Sequence, residues 1–179
     1  IADQTRKTMT ADGNKDITTR EIFGGKRVVL FAVPGAFTPT CSAKHLPGFV
    51  DQADQIRAKG VDRIVCLSVN DAFVMGAWAK AHGAGDKVLL VADGNADFSN
   101  AVGLAFDGSG FGMGTRSQRY AMIVQDGVVK QLFVEKPGAF EASTAENVLK
   151  HLYRSSRPSP TLPLPDFSTA KDRGVRDMV

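Results

Sequence analysis

The chain has 179 residues, 43% hydrophobic and 23% charged, with a formal net charge of +3, a composition that suits one packed globular domain rather than two. Its longest apolar run, Val28-Val29-Leu30-Phe31-Ala32-Val33, stops at Pro34, far short of the roughly 18 residues needed to span a bilayer. Charges are interspersed along the body of the chain and the first twenty residues carry no secretory pattern, so neither a nucleic-acid surface, nor a membrane partner, nor an export signal is expected.

Residues 26 to 33 are apolar and β-branched almost throughout, as in a strand buried on both faces. A helical pattern follows from Ser42 to Lys59, with Phe49, Ala53 and Ile56 on one face and Gly60 at its end. Val61 to Val69 reads as a second strand, and Asn70-Asp71 supplies capping for a helix through Lys80. Lys87 to Val91 is a third strand, Asp97 to Val102 a short helix, and Gly103 to Gly114 a glycine-rich loop. Arg119 to Gln125, the turn Asp126-Gly127 and Val128 to Glu135 form a hairpin. Thr144 to Tyr153 closes the domain as a helix.

Alternation first and a hairpin last imply an α/β fold, a central mixed sheet flanked by helices, in the thioredoxin-like layout. The domain is expected to occupy residues 1–154. Residues 155–179 differ in kind, because Pro158, Pro160, Pro163 and Pro165 fall within eight positions. Such a stretch favours extended polyproline geometry and reads as a C-terminal tail or linker.

The chemically informative segment is Pro34-Gly35-Ala36-Phe37-Thr38-Pro39-Thr40-Cys41, between a buried strand and a helix start. Free N–H groups and the positive end of the helix dipole favour a thiolate there, and the thiolate is the attacking form. Pro39 costs little at the start of a helix. Thr38, three residues before Cys41, can bring its hydroxyl toward the sulfur across one turn, where it would hydrogen-bond a thiolate. Pro34 offers an apolar wall. A cation is still needed to hold the thiolate; Arg119 is the candidate and Arg116 its neighbouring competitor.

The spacing Pro-x-x-x-Thr-x-x-Cys, met by Pro34, Thr38 and Cys41, resembles the active-site motif of the peroxiredoxins. The fuller run through Ser42, with His45-Leu46-Pro47-Gly48-Phe49 after it, is similar to the peroxiredoxin 5, or type II, subfamily. Gln118-Arg119-Tyr120-Ala121-Met122 resembles that subfamily's strand carrying the active-site arginine. The resemblance covers about residues 1 to 153. It implies a thioredoxin fold and reduction of hydrogen peroxide and alkyl hydroperoxides, with Cys41 becoming a sulfenic acid supported by Thr38, Pro34 and Arg119. No metal, haem, flavin or other cofactor is implied, and a homodimer is.

Gly35, Phe37 and His45 are assigned to substrate binding, with Phe106 and Phe111 as further candidates for an apolar mouth; His45, on the helical face of Cys41, reads more readily as a packing or capping residue. Two cysteines without a CxxC pair, and only His45, His82 and His151 beside them, do not make a structural zinc site of about four ligands. Cys66, amid apolar neighbours in a predicted strand, is either a buried thiol or a resolving cysteine for oxidised Cys41. The region from Lys136 to Thr144, where some members of the subfamily place a resolving cysteine, has none. An external thiol is therefore expected to regenerate Cys41, with glutathione and glutaredoxin first and thioredoxin second. The expected setting is cytoplasmic, with an organelle matrix as the alternative.

Overall fold

Six of the seven residues from Arg27 to Val33 are buried, because this strand has helices on both of its faces. The computed structural model describes residues 1–152 and places it as β3 (Arg27–Val33) in a seven-stranded sheet. The other strands of that sheet are β1 (Thr5–Thr10), β2 (Gly13–Thr18), β4 (Arg63–Ser68), β5 (Leu89–Ala92), β8 (Tyr120–Gln125) and β9 (Val128–Val134). Their order is β2-β1-β5-β4-β3-β8-β9. Strands β3, β4 and β5 run parallel, whereas β8 and β9 on one side and β1 and β2 on the other are antiparallel. This is the mixed, thioredoxin-like sheet that the alternation of elements implied.

Side chains alternate across the sheet as strand geometry requires. Val29, Phe31 and Val33 point to one face, where they join Leu46, Phe49, Ile56, Met75, Trp78 and Val148. Those partners come from α2 (Leu46–Asp51), α3 (Ala53–Ala58), α4 (Ala72–Ala81) and α6 (Ala145–His151). Val28, Leu30 and Ala32 point to the other face, with Ile22, Phe23 and Phe98 from α1 (Thr19–Phe23) and α5 (Asp97–Ala101). Each fully buried side chain of this size contributes roughly 1.5–3 kcal/mol. Phe31 and Phe49 stack at 4.0 Å between ring centres, which fixes the helical segment after Cys41 against β3.

Three features depart from the sequence reading. The helix predicted from Ser42 to Lys59 is divided into a π-helical turn at Cys41–His45, then α2, then α3. Pro47 has no N–H to continue the α-ladder, and just before it the Leu46 N–H reaches back to the Cys41 carbonyl, the wider i→i−5 bond of a π turn. Gln52, at φ −101° and ψ 9°, separates α2 from α3. The glycine-rich segment is not a plain loop: β6 (Ala105–Asp107) pairs with β7 (Thr115–Ser117) around a short 3₁₀ turn. The N-terminal hairpin β1–β2 and helix α1 had no apolar alternation to reveal them, because these strands expose charged and threonine side chains. Their local signals were present: the Asp12-Gly13 turn, and Thr18 with Glu21 as a reciprocal capping box. The proposed tail at 155–179 and the final turn to Tyr153 lie outside the described residues.

Candidate active site

Strand β3 delivers the chain to Pro34, and the next four residues form a pinned turn. Thr38 donates from both its N–H, at 3.4 Å, and its Oγ1, at 2.6 Å, to the Gly35 carbonyl. Phe37 adopts a left-handed φ of 59°, a strained position for a bulky residue, and its ring is exposed. The end of β4 holds this turn from outside: Asn70 Oδ1 accepts from the Ala36 N–H at 2.9 Å and from Ser68 Oγ at 2.6 Å. A side chain at position 35 would bring its Cβ within 3.0 Å of Thr38 Cγ2, so glycine suits this close approach. Helical geometry begins at Pro39, and the Ser42 N–H closes the first turn on the Thr38 carbonyl at 3.0 Å.

Cys41 is thereby carried into the fold and is fully buried. Register brings Arg119 to it. Strand β8 pairs antiparallel with β3 up to Ala32 opposite Tyr120, so Arg119 comes level with the end of β3 where the cysteine loop departs. Arg119 Nη2 donates to Cys41 Sγ at 3.1 Å, and Nη1 to His45 Nδ1 at 3.0 Å. His45 Nε2 lies 3.0 Å from the Ser143 carbonyl, which only accepts, so Nε2 carries the proton and Nδ1 is left to accept from the guanidinium. Burial, the adjacent Arg119 charge and, opposing them, the Ser143 hydrogen bond leave the His45 pKa at about 3. The imidazole is therefore neutral near pH 7, as the tautomer requires. The Phe140 ring lies 5.8 Å from the Arg119 guanidinium carbon, within cation–π range.

The opening before Arg119 is a cleft of about 920 Å³, walled by Pro34, Thr40, Phe106, Phe111 and the 135–141 segment, with Lys44 and Lys136 beside them. That is ligand-sized, within the usual range of roughly 300–1,000 Å³ for small-molecule sites. Among the described residues no group of three or more His, Cys, Asp or Glu is placed to hold a metal.

A buried cysteine at a helix start with a guanidinium on its sulfur is an arrangement for thiol chemistry, and comparison with known proteins gives the family. Residues 2–149 match the Redoxin family. A peroxiredoxin of Synechocystis is 46% identical over 160 residues, covering 86% of this chain and 84% of the relative. The chain belongs to the peroxiredoxins. The chloroplastic peroxiredoxin-2E-2 of Oryza sativa is 56% identical over 146 residues, which cover 79% of this peroxiredoxin but 65% of the rice protein. This peroxiredoxin thus spans less than two thirds of that relative's length. The solved structure of reduced Prx3 from Vibrio vulnificus in complex with H2O2 superposes with a TM-score of 0.81 at 54% identity, covering 84% of this chain and 94% of that one.

In this peroxiredoxin, Cys41 and Arg119 meet beyond the end of β3 and Pro34 lines the same opening, whereas the Thr38 hydroxyl donates to the Gly35 carbonyl rather than to the sulfur. Gly35 and Phe37 belong to the turn itself. His45, grouped with the substrate-binding residues from sequence, lies instead behind the guanidinium, fully buried and four residues on from Cys41; its contact is with Arg119, not with the opening. Arg116 is occupied elsewhere, its Nε donating to Met113 O and its Nη1 to Val69 O, both at 2.9 Å. Cys66 sits inside β4, level with Phe31 on one side and Leu90 on the other. It is a free thiol like Cys41; burial, with Cys41 nearby and Arg119 opposing, pushes its pKa up. The sequence reading missed Asn70 as a loop anchor, seeing in it only a cap. It also missed the contacts that Phe140 and Ser143 make with Arg119 and His45.

Proposed function

We propose that this peroxiredoxin is a type II thiol peroxidase that reduces hydrogen peroxide and alkyl hydroperoxides at Cys41. The observation that carries the reading is the Arg119 guanidinium, 3.1 Å from Cys41 Sγ and braced from behind by His45. The Cys41 thiolate attacks one peroxide oxygen and the O–O bond breaks. The other oxygen leaves as hydroxide or alkoxide and takes a proton to become water or alcohol, so Cys41 becomes a sulfenic acid. Arg119 can neutralise charge on both the sulfur and the departing oxygen, and the Thr38 hydroxyl is one turn away. The Vibrio protein with bound H2O2 supports hydrogen peroxide as a substrate.

Regeneration is assigned to external thiols. Cys66 lies within the ladder between β3 and β5, and its thiolate is disfavoured. A first thiol condenses with the sulfenic acid, releasing water and leaving a mixed disulfide; a second displaces Cys41 as a free thiol. Glutathione with glutaredoxin is the first choice of reductant and thioredoxin the second. A homodimer is supported by the exposed rings of Phe37, Phe73 and Phe111, which a monomer would leave in water. Reduced glutathione or thioredoxin implies a reducing compartment, the cytoplasm or an organelle matrix; the chloroplastic rice relative favours the second. No described helix is long and apolar enough to cross a membrane.

The test is peroxide consumption with glutathione and glutaredoxin supplied. Cys41→Ser abolishes turnover, whereas Cys66→Ser retains it; activity surviving in the first variant refutes the assignment. Intact mass after peroxide and glutathione shows a glutathione adduct on Cys41, and a loss of two hydrogens would instead assign resolution to Cys66.

A further inference from the structure

We infer that Glu135 is a positioning residue that sets the Arg119 guanidinium on Cys41 through Ser143 and His45, an inference that rests on the thiol peroxidase reading above. Glu135 follows the last residue of β9, and its N–H donates to the Arg119 carbonyl at 3.0 Å. Its side chain is therefore delivered beside the arginine by backbone pairing. A carboxylate next to a guanidinium ordinarily takes a bidentate ion pair. Here the two terminal Arg119 nitrogens are engaged instead by Cys41 Sγ and His45 Nδ1.

The carboxylate is turned to another task. Glu135 Oε1 accepts from the Glu141 N–H at 2.8 Å, the Ser143 N–H at 2.7 Å and Ser143 Oγ at 2.9 Å. Three donors on one nearly buried oxygen fold the 136–144 segment back over the strand end. The same segment presents the Ser143 carbonyl to His45 Nε2 at 3.0 Å and the Phe140 ring to the guanidinium. From Glu135 the contacts thus run to Ser143, His45, Arg119 and Cys41 without a gap. Outside the Glu135 carboxylate, segment 136–144 is tied mainly at its C-terminal end, where Asn147 Nδ2 donates to the Ala142 carbonyl and Thr144 caps α6; its middle includes Gly138 at φ 77° and the small Ala139, whose N–H turns back to Lys136. The oxygen, as an acceptor, is what the geometry uses; Glu135→Gln keeps an acceptor at that place, whereas Glu135→Ala removes it and Glu135→Asp withdraws it.

The experiment compares two rates of Cys41. Oxidation by hydrogen peroxide is followed in stopped flow by the fluorescence of Trp78, the single tryptophan, whose Nε1 donates to Ser42 Oγ beside Cys41 at 2.9 Å. Alkylation by neutral iodoacetamide is followed by intact mass. Aligned hydrogen bonds to peroxide oxygens fail steeply with displacement, whereas the Coulomb attraction of Arg119 for the thiolate falls slowly with distance. In Glu135→Ala and Glu135→Asp the peroxide rate constant falls roughly 10- to 100-fold, the scale of a sub-ångström to 1 Å misplacement, while alkylation changes by less than about 3-fold. Glu135→Gln stays within about 3-fold of the parent in both rates. The Asp variant carries the test where the Ala variant fails to fold. Retention of the peroxide rate in the Ala or Asp variant, a parallel fall of both rates, or a Gln variant as slow as the Ala variant overturns the inference. A parent protein that does not react with peroxide refutes the thiol peroxidase reading itself, a separate outcome.

Discussion

At the scale of single residues, His45 is the group whose protonation couples the site to pH. Its ordinary value of 6.5 falls to about 3 in the fold, through burial first and the Arg119 charge second. The unfolded chain therefore binds more protons than the folded one between these values. The stability that His45 contributes is fully present above about pH 6.5 and is lost as pH falls from there toward 3. The slope expected from this one group is about 1.4 kcal/mol per pH unit. Urea midpoints measured from pH 7 down to pH 4 check it: His45→Gln should show a shallower decline, and an equal decline would remove His45 as its source. The placement of His45 was not legible from its position on the helix face, because spacing shows which residues share a face and not what stands opposite. The Cys41 motif was legible, since Pro34, Thr38 and Cys41 fall within eight consecutive positions and the turn that joins them is local.

At the scale of elements, α4 and β1 meet where the helix has no side chain. A Cβ at Gly76 would lie 2.6 Å from Met9 Cγ and 2.7 Å from Met9 Cβ. Gly76→Ala would improve helix propensity by roughly 1 kcal/mol, yet the clash reaches a Met9 atom fixed to the backbone and forces the N-terminal hairpin away from the helix. A net loss of about 1–3 kcal/mol is expected, typical of overpacking, and appears as a lowered Tm in thermal denaturation. A raised Tm would show that β1 gives way freely. The same contact explains why sequence reading began the sheet at residue 26. A polar edge hairpin that packs through a few residues such as Met9 leaves no apolar periodicity, although its turn and its capping box stand in the sequence. The π turn that interrupts the Ser42–Lys59 helix was foreseeable from Pro47, whose missing N–H breaks an otherwise continuous helical face, whereas the break at Gln52 was not, because neither proline nor glycine stands there.

At the scale of the whole molecule, the sheet gathers the reactive groups at one end. Cys41 follows β3, Asn70 follows β4 and Arg119 precedes β8, and in this sheet those positions share an edge because β8 runs antiparallel to its neighbour. Phe111 in the cleft wall and Phe37 on the cysteine turn are exposed there. If these rings seat a second copy, Phe111→Asp combined with Phe37→Asp shifts the sedimentation coefficient from dimer to monomer, while an unchanged value places the interface elsewhere. Sequence by itself marked Cys41, the helix start that carries it, the order of the main elements from β3 onward and, through resemblance, Arg119, because each is written in contiguous residues or in short-range periodicity. Only the tertiary structure decided that Arg119 divides its two nitrogens between Cys41 and His45, and that Glu135 holds the segment behind them. Those contacts join residues 41, 45, 119, 135 and 143, and the physical reason they form is strand register, which no local pattern of side chains records.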